Sequence, residues 1–382
     1  MKQKTKTTKR SISVFAQIVQ RLPGHFIDRL AAGQDIKARE LSYSTQLHLL
    51  MLGQFLHAFS LNEIVDISHV HRKELSRIRG ISSPKLNTFS NANRTRDPAV
   101  PEAVYWKLRD ELSRESPAFR GMRNHGALSR FRTRRIFAVD ASVIPLAVSS
   151  IDWAKYIHRK SAVKLHMRTS VADMLPDFVV IDSAERHESK KAPGMCADLH
   201  AGDVVVGDRG YYDFVFFNNL NERGITFVSR EKTNLSFRRI VARVEICGEM
   251  REITFVTNNF IWSAKTVCDL YRSRWTIEIL FKELKQTLQL QSFYGTNANA
   301  VKWQIWAALI VHLILRYLAF LSRWRGSYSR FVGIVRTAIW MKTDLGLLLR
   351  FYGIAPPDSK ARNTVEAPYL PGFEKAYLKA IG

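Results

Sequence analysis

The spacing of apolar residues changes twice along the chain. Up to about residue 130, apolar side chains recur at the intervals of three and four residues that characterise amphipathic helices, as in segments 12–22 and 42–59. From about residue 135, short apolar runs bounded by turn residues replace this pattern and predict β-strands. Helical spacing returns in a long predicted helix over about 263–290 and continues to about residue 352.

The strand-forming part predicts an α/β domain. Its apolar runs are residues 135–139, 163–173, 178–182, 204–206 and 225–229. A helix is predicted near 213–223, and residues 233–258 are predicted to form a small antiparallel β insertion. Three strands followed by alternating strands and helices indicate a mixed sheet with flanking helices. We therefore expect a helical N-terminal domain at 1–130, an α/β domain at 131–352 and a C-terminal tail at 353–382.

The charge of the chain points to a polyanionic partner. Its 58 Lys and Arg residues outnumber 34 Asp and Glu residues, which gives a formal net charge of +24. Because 46% of the residues are hydrophobic, the chain has the composition of a folded protein rather than of a basic tail. Nucleic acid is therefore the first candidate partner, and a membrane surface is the second.

Several classes of protein are excluded. The three cysteines are widely spaced, which argues against a disulfide framework or a zinc ribbon: Cys196, Cys247 and Cys268. The most apolar stretch, 303–320, contains polar side chains including Arg316, so we expect a buried helix rather than a membrane span. The N-terminus predicts an amphipathic helix rather than a signal peptide. We expect a cytoplasmic protein with no membrane partner.

Segment 120–135 contains six arginines and no acidic residue. One interpretation is a solvated linker. The other is a strap that contacts phosphates, because the guanidinium fork matches phosphate oxygens. The pattern alone leaves both open.

Two apolar runs end in aspartate, at Asp140 in FAVDAS and at Asp208 in GDRGYY. Ligands of open α/β sheets gather at the carboxyl ends of the strands, and carboxylates there can converge on a hard cation. The alternative is that each aspartate begins a turn, and Gly210 would serve such a turn after Asp208.

The long predicted helix has polar residues along one side: Tyr271, Arg274, Glu278 and Lys285. At 3.6 residues per turn they fall within an arc of about 60°, beside an apolar stripe. One carboxylate thus stands between cations at the edge of the buried face. The alternative is a surface helix with ordinary ion pairs between neighbouring turns.

Together, Asp140, Asp208 and Glu278 suggest phosphoryl transfer at two Mg²⁺ ions, with Mn²⁺ as an alternative. One ion would activate a hydroxyl, and the other would stabilise the leaving oxygen of a phosphodiester. Arg274 and Lys285 would hold neighbouring phosphates, and Tyr271 would donate to a phosphate or stack. Outside this group, Lys164 and Arg230 are either further phosphate contacts or exposed cations without a ligand. His166, on a predicted strand, is expected to be a core histidine.

These residues resemble the signature of bacterial DDE transposases of the insertion sequence four (IS-four) family. In that family Tyr, two residues, Arg, three residues, Glu, six residues and Lys follow one another, and YRSRWTIEILFKELK matches at Tyr271, Arg274, Glu278 and Lys285. FAVDAS and GDRGYY resemble the surroundings of the two catalytic aspartates, which are Asp140 and Asp208 here.

The resemblance implies a ribonuclease-H-like core with a β insertion and an N-terminal DNA-binding domain. It also implies Mg²⁺-dependent cleavage of double-stranded DNA at transposon ends, strand transfer into target DNA and a homodimer that pairs the ends. Two alternatives remain: a two-metal nuclease or resolvase of the same fold, and a non-catalytic DNA-binding protein derived from a transposase. The second predicts the loss of at least one acid, and all three are present.

Overall fold

The structure is a computed structural model that describes most of the chain. The described residues are 12–35, 40–78, 81–120, 126–131, 133–146, 161–184, 190–211, 213–231, 237–246, 249–290 and 293–353. They form two compact units. We call residues 12–119 and 283–353 the helical unit and residues 120–282 the sheet unit, in each case the described residues of those ranges. The predicted tail at 353–382 lies almost entirely outside the described residues.

The elements follow one another in an order close to the predicted one. The α-helices are α1 (Val14–Val19), α2 (Gly24–Ala32), α3 (Tyr43–Leu56), α4 (Leu61–Val70), α5 (Arg72–Leu75), α6 (Leu86–Thr95), α7 (Ala99–Glu115), α8 (Ala192–Met195), α9 (Phe214–Glu222), α10 (Ala264–Ser273), α11 (Trp275–Lys282), α12 (Ala298–Leu321), α13 (Tyr328–Thr337) and α14 (Leu345–Gly353). The strands are β1 (Ile136–Pro145), β2 (Ala162–Ser170), β3 (Pro176–Ser183), β4 (Val204–Gly207), β5 (Thr226–Arg230), β6 (Arg238–Ile246) and β7 (Glu249–Thr257).

The helical unit is built around α12. This helix is buried on nearly all sides and packs against α3, α6 and α7. Among the described helices it alone is long and apolar enough to cross a membrane, and most of it is buried inside the protein. Its few polar side chains include His312 and Arg316, which bind Glu283 in the same unit. The expectation of a buried helix is thus confirmed, and its polar residues serve an internal ion cluster.

The compact units divide the chain differently from the sequence-based boundaries. Residues 283–353 were expected to belong with the sheet, but they form one unit with the N-terminal helices. The physical reason is the composition of α12: a helix that is apolar all round must be enclosed by other helices. The sheet takes its cover from α8 to α11, which lie within the sheet unit.

The close packing of α3 against its neighbours can be tested at Gly53. A Cβ atom at this position would lie 2.6 Å from Ile64 Cδ1 and 2.9 Å from the Tyr294 hydroxyl. We expect Gly53→Ala to lower the free energy of unfolding by about 1–3 kcal/mol, measured by urea denaturation, because the added methyl overfills the core. Gly333→Ala in α13 is the matched control. No heavy atom lies within 4 Å of its added Cβ, so helix propensity should raise stability by up to about 1 kcal/mol. Equal effects at the two glycines would contradict the packing argument.

The sheet unit has a seven-stranded mixed sheet in the order β3-β2-β1-β4-β5-β7-β6. β1, β2 and β3 pair antiparallel, whereas β1, β4 and β5 run parallel to one another. This arrangement of the first five strands is the ribonuclease-H-like core, so the expected fold class is confirmed. The predicted β insertion is the hairpin of β6 and β7, and β7 pairs with β5, so the insertion extends the main sheet.

Helices cover both faces of the sheet. On one face, α8 and α9 pack on apolar side chains such as Phe137, Val205 and Phe227. On the other face, α10 lies over β4 and β5, and α11 lies over β1 and β2. The second face carries Asp140 and its contacts in α10 and α11.

The arginine-rich segment is largely tied into the sheet unit. Arg120 lies 3.6 Å from Asp173, Arg130 lies 3.3 Å from Asp269, and Arg135 lies 2.5 Å from Asp203. Arg123 and Arg132 lie outside the described residues. These ion pairs account for three of the six arginines without a phosphate. Because their side chains stay 44–57% exposed, phosphate contact by these arginines stays a prediction.

Candidate active site

The strand register aligns the two predicted aspartates. It pairs Ala138 on β1 with Val206 on β4, and Val206 with Val228 on β5. Two residues further along these three parallel strands come Asp140, Asp208 and Arg230. Because side chains two residues apart point to the same face of a strand, the three belong to one face of the sheet.

Asp140 differs from its prediction in one respect. The sequence indicated that β1 ends just before this residue, but β1 continues to Pro145, and Asp140 pairs with Met167 of β2. The antiparallel pairing with β2 holds these additional residues in the strand after the parallel pairing with β4 has ended. Asp208, by contrast, directly follows β4, as expected.

The predicted long helix is divided into segments. Ser263 is the N-cap of α10, and Arg274 is its C-cap. The next helix, α11, begins at the residue after Arg274. The chain continues as a π-helical turn, Glu283–Thr287, which contains Lys285 and belongs to the helical unit. Tyr271, Arg274 and Glu278 are all in the sheet unit, on the face that carries Asp140.

Arg274 binds two of the three predicted acids at once. Its Nη1 lies 3.0 Å from Asp140 Oδ2, and its Nη2 lies 2.5 Å from Glu278 Oε1. Its guanidinium carbon is 5.5 Å from the centroid of the Tyr271 ring, and only 9% of the residue is exposed. The guanidinium therefore joins a strand residue to a helix residue that is more than a hundred positions away in the chain.

The electrostatics of the site show that Asp208 belongs to the same cluster. Burial raises the pKa of Asp140 to about 7; Arg274 and the Ala141 N–H oppose the rise, and Asp208 and Glu278 add to it. Burial also raises the pKa of Tyr271, and the Asp208 carboxylate adds to that rise. For Arg274, burial opposes the charge, but the attraction of Tyr271 and the three carboxylates raises its pKa overall. Asp208 and Glu278 thus both lie within electrostatic reach of Asp140, and all three acids lie within reach of Arg274.

The donor set suits hard divalent cations. Carboxylate oxygens are the ligands that Mg²⁺ and Mn²⁺ prefer, whereas zinc prefers His and Cys. Within the described part of the chain, no three His, Cys, Asp or Glu side chains are already arranged as ligands round one point. Between Asp140 and Glu278 the guanidinium of Arg274 provides the positive charge instead. The residues therefore fit a divalent cation by chemistry, once Arg274 gives up its contacts.

The two predicted phosphate contacts outside the main group, Arg230 and Lys164, lie in different places. Arg230 is exposed at the end of β5, and its charge acts on Tyr271, so it lies at the edge of the cluster. Lys164 pairs with Val143, and by the alternation of side chains it points to the face opposite Asp140. The structure therefore does not bring Lys164 together with the acids.

His166 shares the face of Lys164 and is fully buried, as expected of a core histidine, but neither of its ring nitrogens has a hydrogen-bond partner among the described residues. Burial, with help from Lys164 and Lys191, lowers its pKa to about 4.

Two supporting residues had no signal in the sequence. The Phe255 ring on β7 packs 4.8 Å from the Tyr271 ring, and the buried Ser229 hydroxyl donates to the Asp208 carbonyl at 3.3 Å. Both are ordinary strand residues by type. Only the pairing of β5 with β4 on one side and with β7 on the other identifies them as neighbours of the site.

Comparison with known proteins gives consistent matches. Residues 131–314 match the family model described as "Transposase DDE domain". A probable transposase for insertion sequence element IS5377 from Geobacillus stearothermophilus is 30% identical over 212 residues, which are 47% of this chain and 55% of that protein. The putative transposase y4zB of Sinorhizobium fredii is 26% identical over 315 residues, which are 73% of this chain and 84% of that protein. The chain thus spans about half the length of the first relative and most of the second.

Two further matches are more distant. The putative transposase for insertion sequence element IS4SA of Synechocystis is 25% identical over 256 residues, which are 61% of this chain and 71% of that protein. Among solved structures, a cryo-EM structure of the piggyBac transposase synaptic complex with hairpin DNA aligns with a TM-score of 0.44 and 9% identity. That alignment covers 90% of this chain and 81% of the other.

Proposed function

We propose that the chain is a DDE transposase that binds the ends of an insertion sequence and catalyses Mg²⁺-dependent strand cleavage and strand transfer. The observation that carries this proposal is the convergence of three acids. Asp140, Asp208 and Glu278 are distant in sequence, yet Arg274 joins Asp140 to Glu278, and Asp208 lies on the same face of the sheet as Asp140 and acts on it electrostatically. Phosphoryl transfer needs little more than such a site and cations that position the phosphates.

The three acids would hold the divalent ions. Bound there, such ions activate an attacking hydroxyl and stabilise the charge on the leaving oxygen. Tyr271 has a pKa raised by burial, so its phenol keeps its proton and can donate to a phosphate oxygen. Arg230, exposed beside this phenol, is placed to hold the adjoining phosphate.

The remaining basic residues bear on DNA binding. We assign Lys285 and Arg274 to the scissile strand, following their signature positions. Lys164, on the other face of the sheet, would contact a different stretch of the backbone. We also assign end recognition to the N-terminal domain at 1–130, and the paired ends to a homodimer acting on DNA at the nucleoid in the cytoplasm. The net charge of +24 supports extensive phosphate contact.

A cleavage assay with the DNA that flanks the coding region tests the function. Labelled duplexes that carry the flanking inverted repeats are incubated with the full chain, a target plasmid and either Mg²⁺ or EDTA. We expect Mg²⁺-dependent breaks at the repeat boundary and covalent joining to the plasmid, and neither with scrambled repeats. Breaks without joining would indicate the nuclease or resolvase alternative. Repeat-specific binding without breaks would indicate the non-catalytic DNA-binding protein.

A further inference from the structure

The two carboxylates of Asp140 and Glu278, which the proposed cation site requires, are already in contact with a positively charged side chain. Arg274 contacts Asp140 through Nη1 and Glu278 through Nη2, so one guanidinium offsets part of the negative charge of both acids. The side chains of Asp140 and Glu278 are 16% and 30% exposed, so solvent screens their repulsion only in part. If neither a metal cation nor Arg274 contacted them, the two carboxylates would repel each other.

The guanidinium is held at some cost. Its Nε is buried and has no hydrogen-bond partner among the described residues. A buried N–H that lacks a partner loses its bonds to water without compensation. The attraction of the two carboxylates therefore holds Arg274 in place although its Nε group lacks a hydrogen bond.

We propose that Arg274 is a resident counter-ion that divalent cations must displace from Asp140 and Glu278. This inference rests on the proposed function. A divalent cation bound between these two carboxylates would lie close to the guanidinium, and the two positive charges would repel each other. Arg274 therefore holds α11 against β1 while no cation is bound, and it lowers the affinity of the acids for cations. Once displaced, its guanidinium is free for a phosphate oxygen of the DNA.

Binding of Mn²⁺ to the DNA-free full chain tests this proposal. Isothermal titration calorimetry compares the parent with Arg274→Gln, and we expect the variant to bind Mn²⁺ roughly tenfold more tightly or better, since no cation has to leave. Thermal unfolding gives a second readout. Without metal the variant should unfold at a lower temperature than the parent, and saturating Mn²⁺ should raise its unfolding temperature by more than that of the parent.

Arg272→Gln is the matched control. Arg272 lies two residues before Arg274 in α10, is partly exposed and pairs with Asp269 instead of the cluster. Its Mn²⁺ affinity should equal that of the parent. If Arg274→Gln loses its fold by circular dichroism, Arg274→Lys replaces it; a single ammonium cannot bridge both acids as the fork does, so a smaller gain in affinity is expected.

The outcomes separate this proposal from the proposed function. In one outcome, the folded Arg274 variants bind Mn²⁺ no more tightly than the parent, and Asp140→Asn abolishes binding by the parent. This result overturns the counter-ion role but supports the metal site. Equal Mn²⁺ binding by the parent and Asp140→Asn shows that these acids are not the metal site, and both proposals then fail. If Arg274→Gln binds Mn²⁺ more tightly than the parent and the added Asp140→Asn substitution removes this binding, both the counter-ion role and the metal site are supported.

Discussion

Glu278→Gln is expected to lower the rate of DNA strand cleavage by about 1000-fold or more while DNA binding stays within a few-fold of the parent. The substitution keeps the size of the side chain but removes one of the three negative charges that would hold the divalent ions. DNA binding rests on cations, and the loss of an acid removes repulsion toward phosphates, so affinity should hold or rise slightly. The same pattern is expected for Asp140→Asn and Asp208→Asn.

Gel-resolved cleavage rates and fluorescence anisotropy on the same labelled ends separate the two effects. Glu222→Gln is the control, since Glu222 is an exposed residue of α9, on the opposite face of the sheet. It should cleave at the parental rate. The assignment of Glu278 would be wrong if its glutamine variant cleaved as fast as the parent, or if the lost cleavage simply followed lost binding.

Arg316→Met is expected to lower the free energy of unfolding of the protein by about 3–5 kcal/mol. Both oxygens of the Glu283 carboxylate accept hydrogen bonds from Arg316, and His312 Nε2 lies 2.8 Å from one of them. The side chains of all three residues are at most 9% exposed. Burial opposes ionisation of Glu283, but Arg316 and His312 lower its pKa overall. Without Arg316, a buried carboxylate would lose its principal partner.

The double variant Glu283→Gln/Arg316→Met distinguishes charge compensation from simple loss of packing. Because no unpaired charge remains, most of the lost stability should return, which urea denaturation measures as a coupling energy between the two sites. Arg325→Met, at an exposed position between α12 and α13, should stay within about 0.5 kcal/mol of the parent. A double variant that is as unstable as the sum of its singles would contradict the ion-cluster explanation.

The sequence predicted the local elements and the site residues through short-range patterns. Each of these patterns lies within 24 residues or fewer. They are the end of the strand before Asp208, the helical spacing of Tyr271, Arg274 and Glu278, and the apolar run of α12. The resemblance to DDE transposases is confirmed by the family match over residues 131–314. The roles of the individual site residues stay predictions until the variants are measured.

Other properties depended on pairing between distant segments. That β1 runs on past Asp140 follows from its pairing with β2, and that Lys164 points away from Asp140 follows from the register of the same pair. Three arginines of segment 120–135 pair with acids that are distant in the sequence, so their spacing alone could not show these ion pairs. The assignment of residues 283–353 to the helical unit depended on what encloses α12.

The sequence by itself determined most of the helices and strands, the chemical types at the site and the resemblance to DDE transposases, because periodicity and signature spacing are local properties of the chain. Only the tertiary structure decided that one guanidinium joins Asp140 to Glu278, which faces the basic residues occupy and which helices form a unit. Those features depend on strand register and on the burial of whole surfaces, and the free energies involved come from residues far apart in the chain.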